Sequence, residues 1–448
     1  MKITRTGCII SSDPELKKEL TVRPVVNTEF SAQPPAFKVF KTNNDTMCVP
    51  QHWAREKFGE PTTDARPQPQ RTCVKFCGKL RHETHQIEAH EKALTVGHGV
   101  LSLPCGFGKT TVALAIACSL GYRTMIIVHK EFLANQWKER IEQFCPGSTV
   151  GIVQQNKKET DCDFVIAMLQ SLSMKEYSHN DFDSIGTVIV DEAHHVCAKV
   201  FSQSLFKLCP RHIYGLSATP TRKDGLTQIL HWFMGPTFFS VERKDQKQVE
   251  VLTEWYSSPA YTQPPPVNRI GKVSLVQMIT DIVEDSQRTR MIIKKIVEPN
   301  IKKGRKILIL SERRKHCVEL LELLQGKSAG LYMGGMTREQ LDESAKKQII
   351  IGTYTLAHEG LDIPTLDTLV MATPKSDIKQ AVGRILRETP GKKHNPVIYD
   401  ICDTWSMFIA MFHKRRKVYR EGGFAIQGAQ ESEQQQEERL QGFSFIKV

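Results

Sequence analysis

A glycine-rich stretch in the first third of the chain could bind the phosphates of a nucleotide. It reads LSLPCGFGKTT over residues 101–111. Gly106 and Gly108 would let backbone N–H groups close around a β-phosphate. Lys109 would reach the β- and γ-phosphates, and the hydroxyl of Thr110 would hold Mg²⁺. This loop therefore predicts a nucleotide hydrolase without specifying which kind.

The segments on either side of this loop support the same prediction. An apolar run at Gly99–Leu103 predicts a buried strand, and Val112–Leu120 predicts an apolar helix whose N-terminus adds partial positive charge. Leu103 is a departure, because it stands where such loops usually carry their first glycine. The loop residues predicted to bind nucleotide are Pro104, Cys105, Gly106, Phe107, Gly108, Lys109, Thr110 and Thr111.

A second chemical signal is a pair of carboxylates at the end of an apolar strand, in the segment Thr187–His195. In parallel sheets, ligands bind at the carboxyl ends of the strands. Asp191 would hold Mg²⁺ through water, and Glu192 would orient and deprotonate the attacking water. His194 would link this site to the next segment, where Ser217 and Thr219 could hydrogen-bond back to His194 or Asp191.

Gln86 is a candidate for reading the adenine base. It opens a segment with helical apolar spacing, Gln86–Leu94, about twenty residues before the phosphate loop. Its amide could form a bidentate hydrogen bond with the adenine edge, although a glutamine taken alone is more often a surface residue.

The second half of the chain has no glycine–lysine phosphate loop of its own, but it carries two motifs. One is a loop with Gly360 and Asp362 in Thr353–Pro364, after an apolar strand. The other pairs Arg384 and Arg387, three residues apart on one helix face. They could enter a facing phosphate site as arginine fingers, or form a solvated basic surface.

Alternation of strands and helices predicts an α/β protein with two parallel-sheet units. Residues 1–70 read as a small accessory module that could bind nucleic acid or simply pack against the rest. The proline-rich segment 257–270 is the best internal boundary. The predicted divisions are 1–70 (accessory module), 71–256 (ATP-binding domain), 257–270 (linker), 271–425 (second domain) and 426–448 (flexible tail).

Composition narrows the classes of partner. The chain has 448 residues and a net charge of +12, from 61 basic and 49 acidic residues, which favours a polyanion but also suits a merely basic protein. No apolar run approaches the roughly 20 residues that span a bilayer, and no signal peptide is evident, so we expect an intracellular protein. Twelve scattered cysteines fit a reducing compartment, and Cys73 and Cys77 predict two packed thiols rather than a metal site.

Five motifs in order, GFGKT, DEAH, SAT, EGLDIP and QAVGRILR, make residues 75–420 resemble the superfamily 2 helicases. The resemblance implies two RecA-like domains with ATP and Mg²⁺ in the cleft between them. It assigns Gly360 and Asp362 to nucleotide binding and Gln380 to coupling. It also implies nucleic-acid contacts after the strands, with the basic run 413–420 as a continuation. These candidate contacts are Lys130, Gln170, Ser171, Arg222 and Thr353.

Within the superfamily, LPCG, FLANQW and SATPTRKDG look like the branch of XPB, phage UvsW and the poxvirus transcript-release helicase, especially helicases of large cytoplasmic DNA viruses. Lys223 departs from the Arg-Glu-Asp triplet of XPB-type proteins. This branch favours a DNA motor that moves 3′ to 5′ and acts in transcription, transcript release, repair or recombination. The alternatives are an RNA helicase and a non-catalytic nucleic-acid-binding factor. No unassigned acidic cluster favours a coupled nuclease.

Overall fold

The computed structural model describes residues 1–25, 33–104, 106–178, 180–218, 221–222, 224–241, 249–269, 271–355, 361, 363–386 and 392–427. The chain divides into two compact units, Met1–Glu242 and Arg243–Val448. Within the described residues, no helix is long and apolar enough to cross a membrane.

The first unit is built on an eight-stranded sheet that is parallel except for one short edge strand. Its central strands are buried over their whole length, because helices cover both faces. In spatial order the strands are Lys157–Lys158, Val150–Gln154, Phe164–Met168, Thr124–Val128, Thr187–Val190, His212–Ser217, His98–Ser102 and Thr237–Ser240.

Two sets of helices cover the two faces of this sheet. One face packs against Gln86–Val96, Lys109–Leu120 and Glu131–Phe144. The other packs against Leu169–Met174 and Thr227–Met234, with three short helices between them in the chain. These are the 3₁₀-helices Ala193–Cys197 and Gln203–Lys207 and the α-helix Lys199–Ser202.

Within the first unit, the described part of the first seventy residues forms a small sheet of its own that packs against the rest of the unit. Their helix Gln51–Phe58 contacts the helix Thr227–Met234, and Trp232 packs against the cores of both parts. The strands of this five-stranded sheet, in spatial order, are Lys41–Asn43, Thr46–Val49, Gly7–Ser11, Lys2–Thr4 and Thr63–Asp64; a separate pair is Thr21–Val22 with Phe37–Lys38, and a further helix is Pro14–Glu19.

The segment that follows this module is held in place rather than free. The guanidinium of Arg66 donates to the carbonyl of Pro210 at 2.9 Å, and the N–H of Gln70 donates to the carbonyl of Ser184 at 2.9 Å. The segment that contains the prolines at 61, 67 and 69 is therefore bound along the rest of the first unit.

The second unit has a seven-stranded, all-parallel sheet. In spatial order the strands are Ala329–Tyr332, Ile349–Thr353, Ile307–Ser311, Thr368–Met371, Val397–Asp403, Glu250–Tyr256 and Ala425–Gln427. The helices are Leu275–Glu284, Ser286–Met291, Glu298–Lys302, Arg314–Leu323, Arg338–Lys346, Lys379–Ile385 and Met407–Glu421, with a π-helical stretch at Ile292–Val297.

The predicted boundary between the domains lies too late in the chain. Glu250–Tyr256, expected in the first domain, pairs along its length with Val397–Asp403 in the second sheet. The proline-rich segment after it also belongs to the second unit: Tyr261 stacks on Trp405 at 5.2 Å between ring centroids. Prolines signalled a break in regular structure here, but the break is a packed turn inside a domain.

In the second unit the helix Leu275–Glu284 ends at Asp285, whose carboxylate caps the next helix by accepting from the N–H groups of Gln287 and Arg288. One further prediction for this unit needs correction. The basic run 413–420 is not all surface, because Arg415 is buried and pairs with Asp400 at 2.9 Å. Arg415 is therefore removed from the predicted nucleic-acid track.

We expect the second unit to lose stability in acid partly through His316. Its imidazole is fully buried, 3.0 Å from Ser311 Oγ and 3.3 Å from Thr289 Oγ1, and burial lowers its pKa to about 3. The unfolded chain takes up a proton near pH 6.5, so this contribution is intact above that pH and declines below it. Between about pH 7 and pH 5 the loss is about 2 kcal/mol.

Urea unfolding at the two pH values measures this loss. His316→Gln should flatten the pH dependence, whereas His394→Gln, at a half-exposed position of the same unit, should leave it unchanged. An unchanged pH dependence in His316→Gln would contradict the assignment.

Candidate active site

The phosphate loop joins the strand His98–Ser102 to the helix Lys109–Leu120, as predicted. Gly106 and Gly108 have φ values of +80° and +91°, the left-handed conformation that glycine adopts at least cost. Leu103 is fully buried and donates its N–H to the carbonyl of Ser217 at 2.9 Å. The departure from glycine at this position thus has a structural reason, since the side chain anchors the end of the strand. Cys105 lies outside the described residues.

Gln86 contacts the loop rather than presenting an open amide to a base. Its Nε2 donates to the carbonyl of Phe107 at 2.5 Å, and its Oε1 accepts from the N–H of Arg81 at 2.9 Å. A Cβ at Gly108 would lie 2.7 Å from the same nitrogen. Because Gln86 is only 2% exposed and its amide is already hydrogen-bonded to the backbone, the predicted contact with adenine would have to replace these bonds.

The loop lysine and the strand-end carboxylate meet directly. Lys109 Nζ lies 3.3 Å from Glu192 Oε1, and the two side chains are 15% and 16% exposed. The other oxygen, Glu192 Oε2, is buried, lies 3.5 Å from His194 Nδ1 and has no hydrogen-bond partner among the described residues. One oxygen of this carboxylate is therefore held by the lysine, while the other is an available acceptor inside the site.

Asp191 is oriented by its neighbours. Its Oδ2 accepts from the indole N–H of Trp137 at 2.9 Å, and its Oδ1 accepts from the backbone N–H of Glu192 at the same distance. Trp137 comes from the helix Glu131–Phe144 and is fully buried. This contact explains why the FLANQW segment accompanies the acidic motif, and the motifs alone did not predict it.

Burial and neighbouring charge act differently on the two carboxylates. Burial, reinforced by the charge of Glu192, raises the pKa of Asp191. Burial would raise the pKa of Glu192 as well, but the charge of Lys109 holds it below its usual value. Glu192 therefore stays ionised at neutral pH, as a proton acceptor must.

The predicted link between the acidic motif and the SAT segment is present as a hydrogen bond: His194 Nδ1 lies 3.1 Å from Ser217 Oγ. Ser217 ends the strand His212–Ser217 and is fully buried. Thr219, predicted to share this function, lies outside the described residues.

A row of three imidazoles was not anticipated from the sequence. The ring of His195 lies 4.3 Å from that of His194 and 4.0 Å from that of His129. Burial lowers the pKa of all three, that of His195 to about 3, so they are neutral at pH 7. The repeated histidine in DEAHH was the only sign of this row in the sequence, because His129, which contacts the ring of His195, lies 66 positions earlier in the chain.

The candidate nucleic-acid residues of the first unit cluster near this row. Gln170 Nε2 donates to the carbonyl of His129 at 2.6 Å. Lys130, the next residue in the chain after His129, occupies the N-cap position of the helix Glu131–Phe144. Ser171 Oγ accepts from the N–H of Gln155 at 3.0 Å.

Arg222 is largely engaged within the protein. Its guanidinium pairs with both oxygens of Asp224, with Nε 2.9 Å from Oδ1, and donates to the carbonyl of His194 at 2.6 Å. Its predicted contact with nucleic acid would therefore compete with these bonds. Lys223, between the two paired residues, lies outside the described residues.

In the second unit, Arg384 is half-buried in the helix Lys379–Ile385, close enough to Tyr332 for its charge to lower the pKa of that phenol against the larger effect of burial. Gln380 is the second residue of the same helix, and Thr353 ends the strand Ile349–Thr353. Gly360, Asp362 and Arg387 lie outside the described residues.

Ser217→Ala is expected to uncouple polymer binding from hydrolysis, because the His194 bond links the acidic motif to the SAT segment. ATP hydrolysis without nucleic acid should change less than about threefold, while its stimulation by nucleic acid should fall about tenfold, as one lost hydrogen bond to a buried group permits. Steady-state assays with and without polymer measure this, and Ser173→Ala is the control. Equal loss in both conditions would contradict a coupling function.

Comparison with known proteins places this geometry in a family. Residues 79–222 match the family described as "Type III restriction enzyme, res subunit", and residues 288–389 match "Helicase conserved C-terminal domain". The protein "Putative ATP-dependent RNA helicase L396" of Acanthamoeba polyphaga mimivirus is 34% identical over 427 residues, covering 90% of this chain and 81% of that protein. The chain belongs to the superfamily 2 helicases.

A second viral relative agrees with this assignment. "Putative helicase 161L" of Invertebrate iridescent virus 6 is 28% identical over 444 residues, 92% of this chain and 96% of that protein. The crystal structure of T4 UvsW covers 96% of this chain and 99% of its own, but at 14% identity and a TM-score of 0.36 the likeness is too low to compare the folds.

As a superfamily 2 helicase, the chain is an ATP-hydrolysing enzyme with two RecA-like α/β domains, and its relatives include proteins of large DNA viruses. The resemblance inferred from the five motifs is confirmed.

Proposed function

We propose that this helicase converts ATP hydrolysis into movement along DNA, in the 3′ to 5′ direction, during viral transcription, transcript release, repair or recombination in the infected cell. The observation that carries the proposal is the Lys109–Glu192 contact, in which one carboxylate oxygen is held and the other is available. A lysine suited to binding phosphate and a carboxylate suited to act as a base thus lie side by side at the carboxyl end of a parallel sheet, where such sheets bind ligands.

The contact suggests how nucleotide binding prepares the base. When ATP binds, its β- and γ-phosphates compete for Lys109, which then leaves Glu192 Oε1. Loss of that positive neighbour raises the pKa of Glu192 and strengthens it as a proton acceptor. Glu192 then orients the attacking water and takes its proton, and the imidazole of His194 keeps the carboxylate in place.

Thr110 and Asp191 are suited to Mg²⁺, which prefers hard oxygen ligands, keeps several waters and is commonly held by one or two protein groups together with phosphates. Each oxygen of Asp191 accepts a single hydrogen bond, which fixes the carboxylate and leaves a second lone pair on each oxygen. Bound Mg²⁺ would neutralise charge on the β- and γ-phosphates. Among the described residues there is no cluster of three or more acidic, histidine or cysteine side chains that could hold a metal by itself.

The second unit would complete the site. We propose that Arg384 and Arg387 act as arginine fingers on the transferring phosphoryl group, that Gly360 and Asp362 contact the nucleotide, and that Gln380 couples the two units.

Nucleic acid would be sensed through the imidazole row. Lys130 and Gln170 flank His129, whose ring leads through His195 to His194 and Glu192. A phosphate bound by Lys130 and Gln170 would displace the bond between Gln170 and the His129 carbonyl. Ser171, Arg222 and Thr353 would add contacts to the strand.

ATP hydrolysis by the purified protein with no polymer, single-stranded DNA, duplex DNA or RNA of equal length tests the proposal. Stimulation mainly by DNA supports it. Stimulation by RNA alone would favour the second candidate, an RNA helicase, which the name of the mimivirus relative also supports. Absence of hydrolysis with every polymer would contradict both.

A further inference from the structure

The accessory module carries an open groove whose lining is basic. Its walls are formed by Lys17, Lys18 and Lys38, and its volume is about 460 Å³. Thr21 and Thr42 add hydroxyl groups, and the nearly buried ring of Phe40 forms part of the floor. None of these six lining residues is acidic.

The charge of this groove is not compensated by ion pairs within the described residues. Four lysines at or beside the groove form no ion pair with a described residue: Lys17, Lys18, Lys38 and Lys41. The ammonium group of Lys38 lies 5.9 Å from the ring centroid of Phe40, and that of Lys41 lies 5.7 Å from the ring centroid of Phe206. Other basic residues of the module behave differently: Arg5, Arg55, Lys57 and Arg66 each pair with a carboxylate. The four lysines therefore present positive charge to solvent.

Lysines of the first unit continue this surface. Lys207 lies near enough to Lys41 for the two charges to interact, and it sits over the ring of Tyr177 at 5.3 Å. Lys207 also donates a hydrogen bond to the carbonyl of Lys175. Glu176 is the acidic side chain whose charge acts on Lys207, but the two form no ion pair among those described.

The surface ends at a predicted nucleic-acid contact. Lys175 donates to the carbonyl of Gln155 and to Asn156 Oδ1, the latter at 2.7 Å. The N–H of Gln155 in turn donates to Ser171 Oγ at 3.0 Å. Six lysines thus form one basic track from Ser171 to the accessory groove: Lys175, Lys207, Lys41, Lys38, Lys18 and Lys17.

We infer that this basic track binds the phosphate backbone of the nucleic acid beyond the helicase core, so that the accessory module lengthens the binding site. A row of lysines that form no ion pairs among the described residues, with flanking hydroxyls, suits a phosphodiester chain, whose neutralisation by lysine releases counterions. Such a track lacks base-reading geometry, so the contact is independent of sequence. The inference rests on the proposed function, since it requires nucleic acid at Ser171.

The test uses the full chain and a triple variant, Lys17→Gln, Lys18→Gln and Lys38→Gln. These lysines lie on the surface, so the fold should be kept. The matched control is Lys79→Gln, Lys92→Gln and Lys138→Gln, which removes the same charge from exposed positions on or beside helices of the opposite face of the sheet. Binding to fluorescent single-stranded DNA of about 8 and about 40 nucleotides is titrated at several salt concentrations.

For the long strand, the logarithm of the association constant falls with the logarithm of salt concentration, and in the track variant this negative slope should be shallower by about 2, or about 0.7 for each lost contact. Binding near 0.1 M salt should weaken roughly 10- to 100-fold. The short strand, which the core alone can hold, should bind the variant and the parent equally. The control should follow the parent, and ATP hydrolysis without polymer should be unchanged in both.

Parent-like binding of the long strand by the track variant would overturn the inference, as would an equal loss in the control or for the short strand. If poly-glutamate bound the parent more tightly than DNA and lost affinity in the variant, the track would belong to an acidic protein instead. Failure of the proposed function is distinguishable, because then no polymer would stimulate ATP hydrolysis by the parent itself.

Discussion

Replacing Glu192 by glutamine is expected to lower kcat for ATP hydrolysis by about 10²–10⁴-fold while ATP still binds. The amide keeps the shape of the side chain but cannot take a proton from water, and the Lys109 contact would lose its charge. Because Glu192 then no longer competes with the phosphates for Lys109, nucleotide affinity should stay equal or rise. Steady-state hydrolysis in the presence of DNA and titration of a fluorescent ATP analogue measure the two effects separately.

Glu142→Gln, at an exposed position of the helix Glu131–Phe144, is the control and should retain parental turnover. If Glu192→Gln hydrolysed ATP within about twofold of the parent, well below the effect of losing a general base, the assignment of Glu192 would be wrong. Loss of ATP binding instead of turnover would make Glu192 a nucleotide ligand.

Arg384→Ala should reduce kcat by about 10³–10⁵-fold with nucleotide binding preserved, since an arginine finger stabilises charge that develops only in the transition state. Arg384→Lys should recover little of this activity, because the planar guanidinium binds phosphoryl oxygens in a geometry that an ammonium cannot reproduce. Rates under single-turnover conditions separate chemistry from product release.

Lys379→Ala removes another cation from the same short helix, one that lies 3.8 Å from Glu421, and should leave kcat unchanged. Unchanged turnover in Arg384→Ala would assign this residue to the solvated basic surface that the sequence left open.

The parallel sheets were predictable because their strands are continuous apolar runs. The strands His98–Ser102 and Thr187–Val190 lie close to the apolar runs that predicted them, since strands buried on both faces need apolar residues throughout. Glu250–Tyr256 was assigned to the wrong domain because it is only partly buried near the sheet edge, and pairing partners distant in sequence leave no local trace.

The site shows the same division. The Lys109–Glu192 and His194–Ser217 contacts follow from motifs at the carboxyl ends of three consecutive strands of the parallel sheet, which lie at one edge of it. The bond between Gln86 and Phe107 does not follow, because the sequence shows an amide but not whether the backbone already occupies it. Arg415 is a similar case, since a buried ion pair and a surface charge look alike in a basic run.

The measurement that tests the central claim most directly is ATP-driven movement along a single strand, followed by displacement of streptavidin from a biotin at either end of DNA or RNA. The account predicts that, with ATP, the parent removes streptavidin from the 5′ end of DNA much faster than from the 3′ end, and that Glu192→Gln does neither. No displacement from DNA at either end, despite hydrolysis of ATP, would contradict a DNA motor. Displacement from RNA alone would replace DNA with RNA as the substrate.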